Sequence, residues 1–288
     1  MRVGINLLCA TGFVDDRHRP LLALARDAGF DGVEVPILDG DPAHYERLGA
    51  VLDGLGLGRT ASSIVPSADC NPVDADPAVR ARAETHLGRL VECAAALGAE
   101  TLVGPLGAPL GHFTGTGPTD DEIARAAEIH ARVAERARVA GVVIGFEPVN
   151  RFETYFLNTA AQAEALVEQV GHPAFGVLYD TFHANIEERS QPDAIRSLGP
   201  HIAELHVSEN DRGIPGRGQI DFDAVFRAVQ ATGFDGWCVV EAFGDALPEI
   251  AAATRIWRPV FPVVETLFWK SAAFVREGWV RAAGAAAA

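Results

Sequence analysis

One unit recurs along this chain and few folds can absorb it. A helical stretch closes on a glycine, and a short apolar run follows. Gly29 precedes Asp31–Val35, Gly56 precedes Gly58–Val65, Gly98 precedes Thr101–Leu106, Gly141 precedes Val142–Glu147, and Gly233 precedes Trp237–Glu241. A glycine just past a helix end supplies the left-handed residue that closes the last turn. Two copies are nearly literal, Gly29-Phe30-Asp31-Gly32 and Gly233-Phe234-Asp235-Gly236. The apolar runs, such as Val142-Val143-Ile144 and Val239-Val240, are continuous rather than alternating. Strands covered on both faces read this way, which means parallel strands under helices. Between them lie amphipathic stretches. Thr119-Asp120-Asp121-Glu122 has the form of a capping box, and Ile123, Ala127, His130, Ala134 and Ala137 then share one face. Eight candidate strands start near Val3, Gly32, Arg59, Thr101, Val142, Phe175, Ile202 and Trp237. Eight parallel strands with intervening helices predict an α/β fold, a (β/α)8 TIM barrel, against the competing open doubly wound sheet. With 288 residues, one barrel accounts for the whole chain, so a single domain over 1–288 is expected. The low-complexity tail from 282 to 288 is expected to fray.

Several classes of function are excluded early. The formal net charge is −15, which would repel a phosphate backbone, so no nucleic-acid partner is expected. Lys270 is the one lysine, close to the C-terminus, which leaves Schiff-base and lysine-bound cofactor chemistry without a well-placed residue. Cys9, Cys70, Cys93 and Cys238 form no C-x-x-C pair and read as reduced thiols. The Gly115/Gly117 and Gly216/Gly218 pairs lack the strand-turn-helix setting of a dinucleotide site. No signal peptide and no transmembrane stretch is readable, so a cytoplasmic protein without a membrane partner is expected.

In such a barrel, chemistry sits where the strands end. The last four candidate strands end Gly145-Phe146-Glu147, Leu178-Tyr179-Asp180, Glu204-Leu205-His206 and Val239-Val240-Glu241. Each of these ends lies about one strand–helix unit from the next, so all four side chains are directed to one mouth. Alone, each carboxylate reads as a loop cap and the histidine as a core residue. Together, three carboxylates and an imidazole make an oxygen-rich set suited to manganese, magnesium or cobalt. Buried like charges without a cation are costly, so the cluster itself implies a metal.

The motifs around these residues resemble the ketose 3-epimerases, the D-tagatose, D-psicose (D-allulose) and L-ribulose 3-epimerase group within the xylose-isomerase-like barrels. Glu147-Pro148-Val149-Asn150-Arg151-Phe152-Glu153 with Asn158-Thr159 is similar to the fifth-strand signature. Asp180-Thr181-Phe182-His183-Ala184-Asn185-Ile186-Glu187-Glu188 resembles the sixth. His206 with Glu209, Arg212, Pro215, Gly216 and Gly218 resembles the seventh-strand loop, and Glu241-Ala242-Phe243 with Trp257-Arg258 the last segments. The likeness is dense from about Gly141 to Arg258. It implies metal ligands Glu147, Asp180, His206 and Glu241, with Mn2+ foremost and Co2+ or Mg2+ as alternatives. It implies that Glu147 and Glu241 are also the acid/base pair, and that Glu153, His183 and Arg212 hold the substrate around carbon 1 and the carbonyl. A surface salt bridge is the other reading of Arg212, and pairing with Arg151 the other reading of Glu153. By the same analogy the chain is expected to form a homodimer or homotetramer.

The reaction so implied inverts carbon 3 of a free ketose (D-tagatose, D-psicose or D-fructose type) by removing and returning a proton through an enediolate. Three departures bear on the sugar. The segments Asn6–Thr11 and Gly104–Pro109 lack the aromatics common in the family, and Ala184 stands where a methionine is common. A larger or modified keto-sugar therefore stays open. Rival readings on the same barrel are a keto-sugar or keto-inositol dehydratase or lyase, an aldose–ketose isomerase, an abasic-site endonuclease and a non-catalytic sugar binder. The endonuclease needs histidines on early strands and a basic surface. Here strands three and four end in Ser62-Ser63-Ile64 and Gly104-Pro105.

Overall fold

A computed structural model describes residues 1–286. Eight parallel strands close into a barrel in sequence order: β1 (Arg2–Asn6), β2 (Gly32–Pro36), β3 (Gly58–Ser62), β4 (Thr101–Gly104), β5 (Val143–Phe146), β6 (Phe175–Asp180), β7 (Ile202–Val207) and β8 (Trp237–Val240). The β1–β8 pairing, with Val3 opposite Cys238 and Ile5 opposite Val240, closes the ring and excludes the open sheet. Ten helices are described: α1 (Arg19–Asp27), α2 (Pro42–Leu55), α3 (Pro77–Leu97), α4 (Asp120–Ala140), α5 (Ala160–Val170), α6 (Thr181–Glu187), α7 (Gln191–Leu198), α8 (Phe222–Ala231), α9 (Pro248–Thr254) and α10 (Val264–Ala286). None is long and apolar enough to cross a membrane.

The local signals act as the sequence suggests. Thr119 Oγ1 accepts from the Glu122 backbone N–H, and the Glu122 carboxylate accepts from the Thr119 N–H, so α4 starts on a closed capping box. Its face of Ala127, His130, Ala134 and Ala137 is buried against the barrel. Toward the alanine-rich tail, α10 continues through Ala286, and Ala282 is buried. Alanine is the strongest helix former, and low complexity in alanine extends a docked helix. Residues 287–288 lie outside the described residues.

The two ends of the barrel are built differently. At the base, the Trp237 ring lies against Gly32 and Gly58, where a Cβ at either position would meet it at 2.6–2.7 Å. Glycine there lets the indole close the floor. At the opposite end Gly104 leaves β4 at φ +133, and a Cβ would run into the Ser63 carbonyl oxygen. That close approach packs the end of β4 against the segment that leaves β3. All four cysteines are free among the described residues.

Candidate active site

The strand register brings the chemistry together. Asp180 and His206 are direct partners across β6 and β7. Glu147 follows β5 and is fixed there by its backbone N–H to Gly104 O at 2.9 Å, and Glu241 follows β8 with its N–H to Val207 O at 3.3 Å. One ligand atom from each of Glu147, Asp180, His206 and Glu241 lies within 4.8 Å of the others, and all four residues are buried. Asp180 divides its carboxylate. Oδ1 caps α6 by accepting from the Phe182 and His183 N–H groups at 2.6 and 3.3 Å, while Oδ2 faces the cluster.

Arg212 is neither a surface salt bridge nor a free arm over the site. It is buried, at φ 61, with its guanidinium 3.9 Å over the Phe182 ring and 5.0 Å from that of Phe243. Nη1 donates to Asp180 Oδ2 at 2.9 Å, to Glu241 Oε2 at 2.5 Å and to Ser208 Oγ at 3.1 Å. His183 Nε2 lies 3.0 Å from Arg212 Nη2 and 3.5 Å from Glu147 Oε1. Its Nδ1 accepts from the Asn150 N–H at 3.1 Å. Glu153 is half-buried at the cavity wall and accepts from Asn150 Nδ2 at 2.8 Å. It does not pair with Arg151, whose guanidinium goes to Glu187 at 2.7 Å.

Electrostatics separate these groups. Burial, then the charges of Glu241 and Asp180, hold the Glu147 carboxyl well above the usual range. Burial also raises Glu241, with Arg212 and His206 opposing. Burial works against the Asp180 charge, but Arg212 beside it holds that carboxyl well below its ordinary value. His183 is pushed down to about 4 by burial and by Arg212, so its ring is neutral at pH 7. Burial opposes a charge on His206, yet Glu34 and Glu241 hold its pKa well above the ordinary one.

A divalent ion fits this donor set. Among the described residues, His206 Nδ1 is buried without a hydrogen-bond partner, 3.4 Å from Glu241 Oε1 and 3.6 Å from Asp180 Oδ2. An imidazole nitrogen without a hydrogen-bond partner, facing carboxylates that a cation can bridge in place of the ring proton, is a ligand geometry. Next to the cluster lies a cavity of about 160 Å³. Every charged residue lining it comes from β5 onward, whereas the turns after β1 to β4 contribute Leu8, Leu38, Ile64 and Leu110. A larger hollow of about 610 Å³ opens at the barrel's other end beside Arg2 and Trp237 and holds none of the four clustered residues.

A further set of polar residues lies deeper inside the barrel: Glu34, Thr60, Thr101 and Glu204, joined to Asn6 and His206. Sequence reasoning missed these residues as members of the site. The readable signal was a single carboxylate inside an apolar strand, as in Val33-Glu34-Val35. Burial and the neighbouring Glu34 charge raise Glu204 well above the usual range. Glu34 is lowered, burial notwithstanding, by the charge of His206 and its hydrogen bond.

Fold and site together define a TIM barrel with a buried acidic cluster fit for a metal at its mouth, and comparison with known proteins supplies the family. The family described as Xylose isomerase-like TIM barrel matches residues 22–259. A ketose 3-epimerase of Arthrobacter globiformis is 33% identical over 281 residues, 96% of each chain. An L-ribulose 3-epimerase of Mesorhizobium japonicum is 37% identical over 280 residues, 96% of this chain and 94% of its own. The crystal structure of D-psicose 3-epimerase with D-tagatose from Clostridium cellulolyticum H10 superposes with a TM-score of 0.89 at 28% identity, covering 97% of this chain and 99% of that one. The chain belongs to the ketose 3-epimerase family of xylose isomerase-like barrels, and it is a carbohydrate epimerase, an isomerase.

Proposed function

We propose that the protein inverts carbon 3 of a free ketose of the D-tagatose, D-psicose or D-fructose type in a metal-dependent reaction. Glu147, Asp180, His206 and Glu241 would hold the ion. A divalent cation bound there, Mn2+ foremost and Co2+ or Mg2+ as alternatives, supplies Lewis acidity that stabilises negative charge on the ketose oxygens. Proton transfer falls to Glu147 and Glu241. They enter from strands three steps apart round the ring, so they reach a substrate between them from different sides. One removes the carbon-3 proton, giving a planar enediolate, and the other returns a proton to the opposite face. Asp180 is shorter, with Oδ1 held by the α6 cap and Oδ2 facing the cluster, which suits it to hold the ion and not to move a proton. Arg212, neutral His183 and Glu153 line the same cavity and hold the carbon-1 and carbonyl end by hydrogen bonds.

The observation that carries this reading is the meeting of two long buried carboxylates from β5 and β8 at one point beside a bare imidazole nitrogen. A panel of free ketoses turned over with Mn2+ in deuterated water tests it. The epimer should carry one deuterium at carbon 3, and Glu147→Gln and Glu241→Gln should each lower turnover by at least about 10²-fold while the fold is kept. An epimer that keeps its original hydrogen, or either variant working near the wild-type rate, refutes the two-base mechanism. Loss of water, or an aldose as product, would mark the lyase or the isomerase instead.

A further inference from the structure

Beneath the mouth, His206 rests on a carboxylate that none of the mechanism's steps uses. Glu34 is fully buried in the middle of β2. The inside of a barrel like this is ordinarily filled by branched apolar side chains, and a buried carboxylate in their place is costly unless its lone pairs are taken up. Those of Glu34 are taken up. Oε1 lies 3.2 Å from His206 Nε2 and accepts from Asn6 Nδ2 at 2.7 Å, and Oε2 accepts from Thr60 Oγ1 at 3.1 Å. The same Asn6 amide also donates to Glu241 Oε1 at 3.0 Å. Asn6 is itself locked, its Oδ1 accepting from the Leu8 N–H at 2.8 Å. Glu204 stands farther from the ring, 3.9 Å from Nε2.

The two faces of the imidazole are thus unequal. Nε2 meets a carboxylate, while Nδ1 is turned to the Asp180–Glu241 side with no hydrogen-bond partner among the described residues. We propose that Glu34 is a positioning residue of the metal site: it receives the Nε2–H of His206, which orients the ring and leaves Nδ1 bare for the ion, and through Asn6 it holds Oε1 of Glu241. A ring nitrogen hydrogen-bonded to a carboxylate on its far side is a better and better-aimed donor on its near side, and removing such a partner weakens metal binding about 10- to 100-fold. Were Glu34 only filling the barrel, its replacement would lower stability and leave the intrinsic ion affinity alone.

The inference rests on the metal reading above, and the test separates the two. Binding of Mn2+ to metal-free wild type, Glu34→Gln and Glu34→Ala is followed by electron paramagnetic resonance of the free ion, with circular dichroism as the check on folding. Glu34→Gln keeps the shape and loses the charge. It should bind Mn2+ about 10- to 100-fold more weakly with a native spectrum, and Glu34→Ala at least as weakly. A wild type that takes up no Mn2+ overturns the metal reading itself. A wild type that binds, beside a folded Glu34→Gln variant within twofold of it, overturns the role of Glu34 alone. Should both variants fail to fold, the wild type decides. With 15N-labelled histidine and Mg2+ bound, two-bond proton–nitrogen spectra should show His206 protonated at Nε2, and a proton at Nδ1 overturns the proposal.

Discussion

Arg212→Ala should destabilise the protein strongly without metal and weakly with it. Without an ion, the guanidinium is the nearest positive charge to two buried carboxylates, 2.9 Å from Asp180 Oδ2 and 2.5 Å from Glu241 Oε2. Removing one member of a buried pair leaves an uncompensated charge and costs about 3–5 kcal/mol. Alanine at φ 61 bears much the same left-handed backbone cost as arginine, so the comparison isolates the side chain. A divalent ion on the same carboxylates supplies the missing positive charge, and the loss should then fall to about 1–2 kcal/mol. Thermodynamic reciprocity turns that difference into affinity. If about 2–3 kcal/mol of the penalty disappears when Mn2+ binds, the variant binds Mn2+ about 30- to 150-fold more tightly than the wild type. Urea unfolding in excess EDTA and in saturating Mn2+ measures the first quantity, and calorimetric titration the second. Turnover should nonetheless fall about 10²- to 10³-fold, as for a lost oxyanion donor. Equal destabilisation in both media, or weaker Mn2+ binding by the variant, refutes the view that Arg212 and the ion neutralise the same carboxylates.

Two further outcomes are expected. Metal removal should lower the melting temperature: at a free ion concentration a hundred times the dissociation constant, binding adds about 2.7 kcal/mol, which is about 4–5 °C for a chain of this size. A melting curve and an activity that both survive excess EDTA would remove the metal from the mechanism. The acid limb of stability should owe part of its slope to His130, which is buried against Phe146 and Phe175 and pushed down to about 4 by burial. Its native pKa lies below the ordinary 6.5, so the unfolded chain takes up the proton first. The stability involved is intact above about pH 6.5 and lost as the pH falls toward 4, about 2.5 kcal/mol by pH 4.5. Urea unfolding of His130→Leu between pH 7 and 4.5 should show a shallower decline than the wild type, and identical slopes would exclude the effect.

The barrel was legible because its signals are local. Glycine after a helix and a continuous apolar run announce five of the eight parallel strands within a few residues of chain, and the strands begin within one residue of the expected positions, Val143 for Val142 and Gly58 for Arg59 among them. The convergence of Glu147, Asp180, His206 and Glu241 was legible at one remove, since a barrel sends every strand end to one mouth. The seat of Arg212 was not. It needs a left-handed residue in one loop, a phenylalanine from α6 and another after β8, and no pattern in sequence joins the three. Glu34 was invisible for a similar reason. A carboxylate inside an apolar strand signals a buried partner, but that partner, His206, is 172 residues away across the barrel.

The division of the cavity wall has a consequence for how such a protein diverges. The charged groups that would bind the ion and move the proton stand on the second half of the barrel, and the first half lines the cavity with leucines, an isoleucine and small residues. Inheritance can therefore act on the two halves at different rates. Exchange of Leu8, Leu38, Ile64 or Leu110 reshapes the cavity without touching a carboxylate of the cluster. Libraries aimed at substrate range belong in the turns after β1 to β4. Asn6 and Glu34 are the exceptions there, because from the first half they reach across to His206 and Glu241.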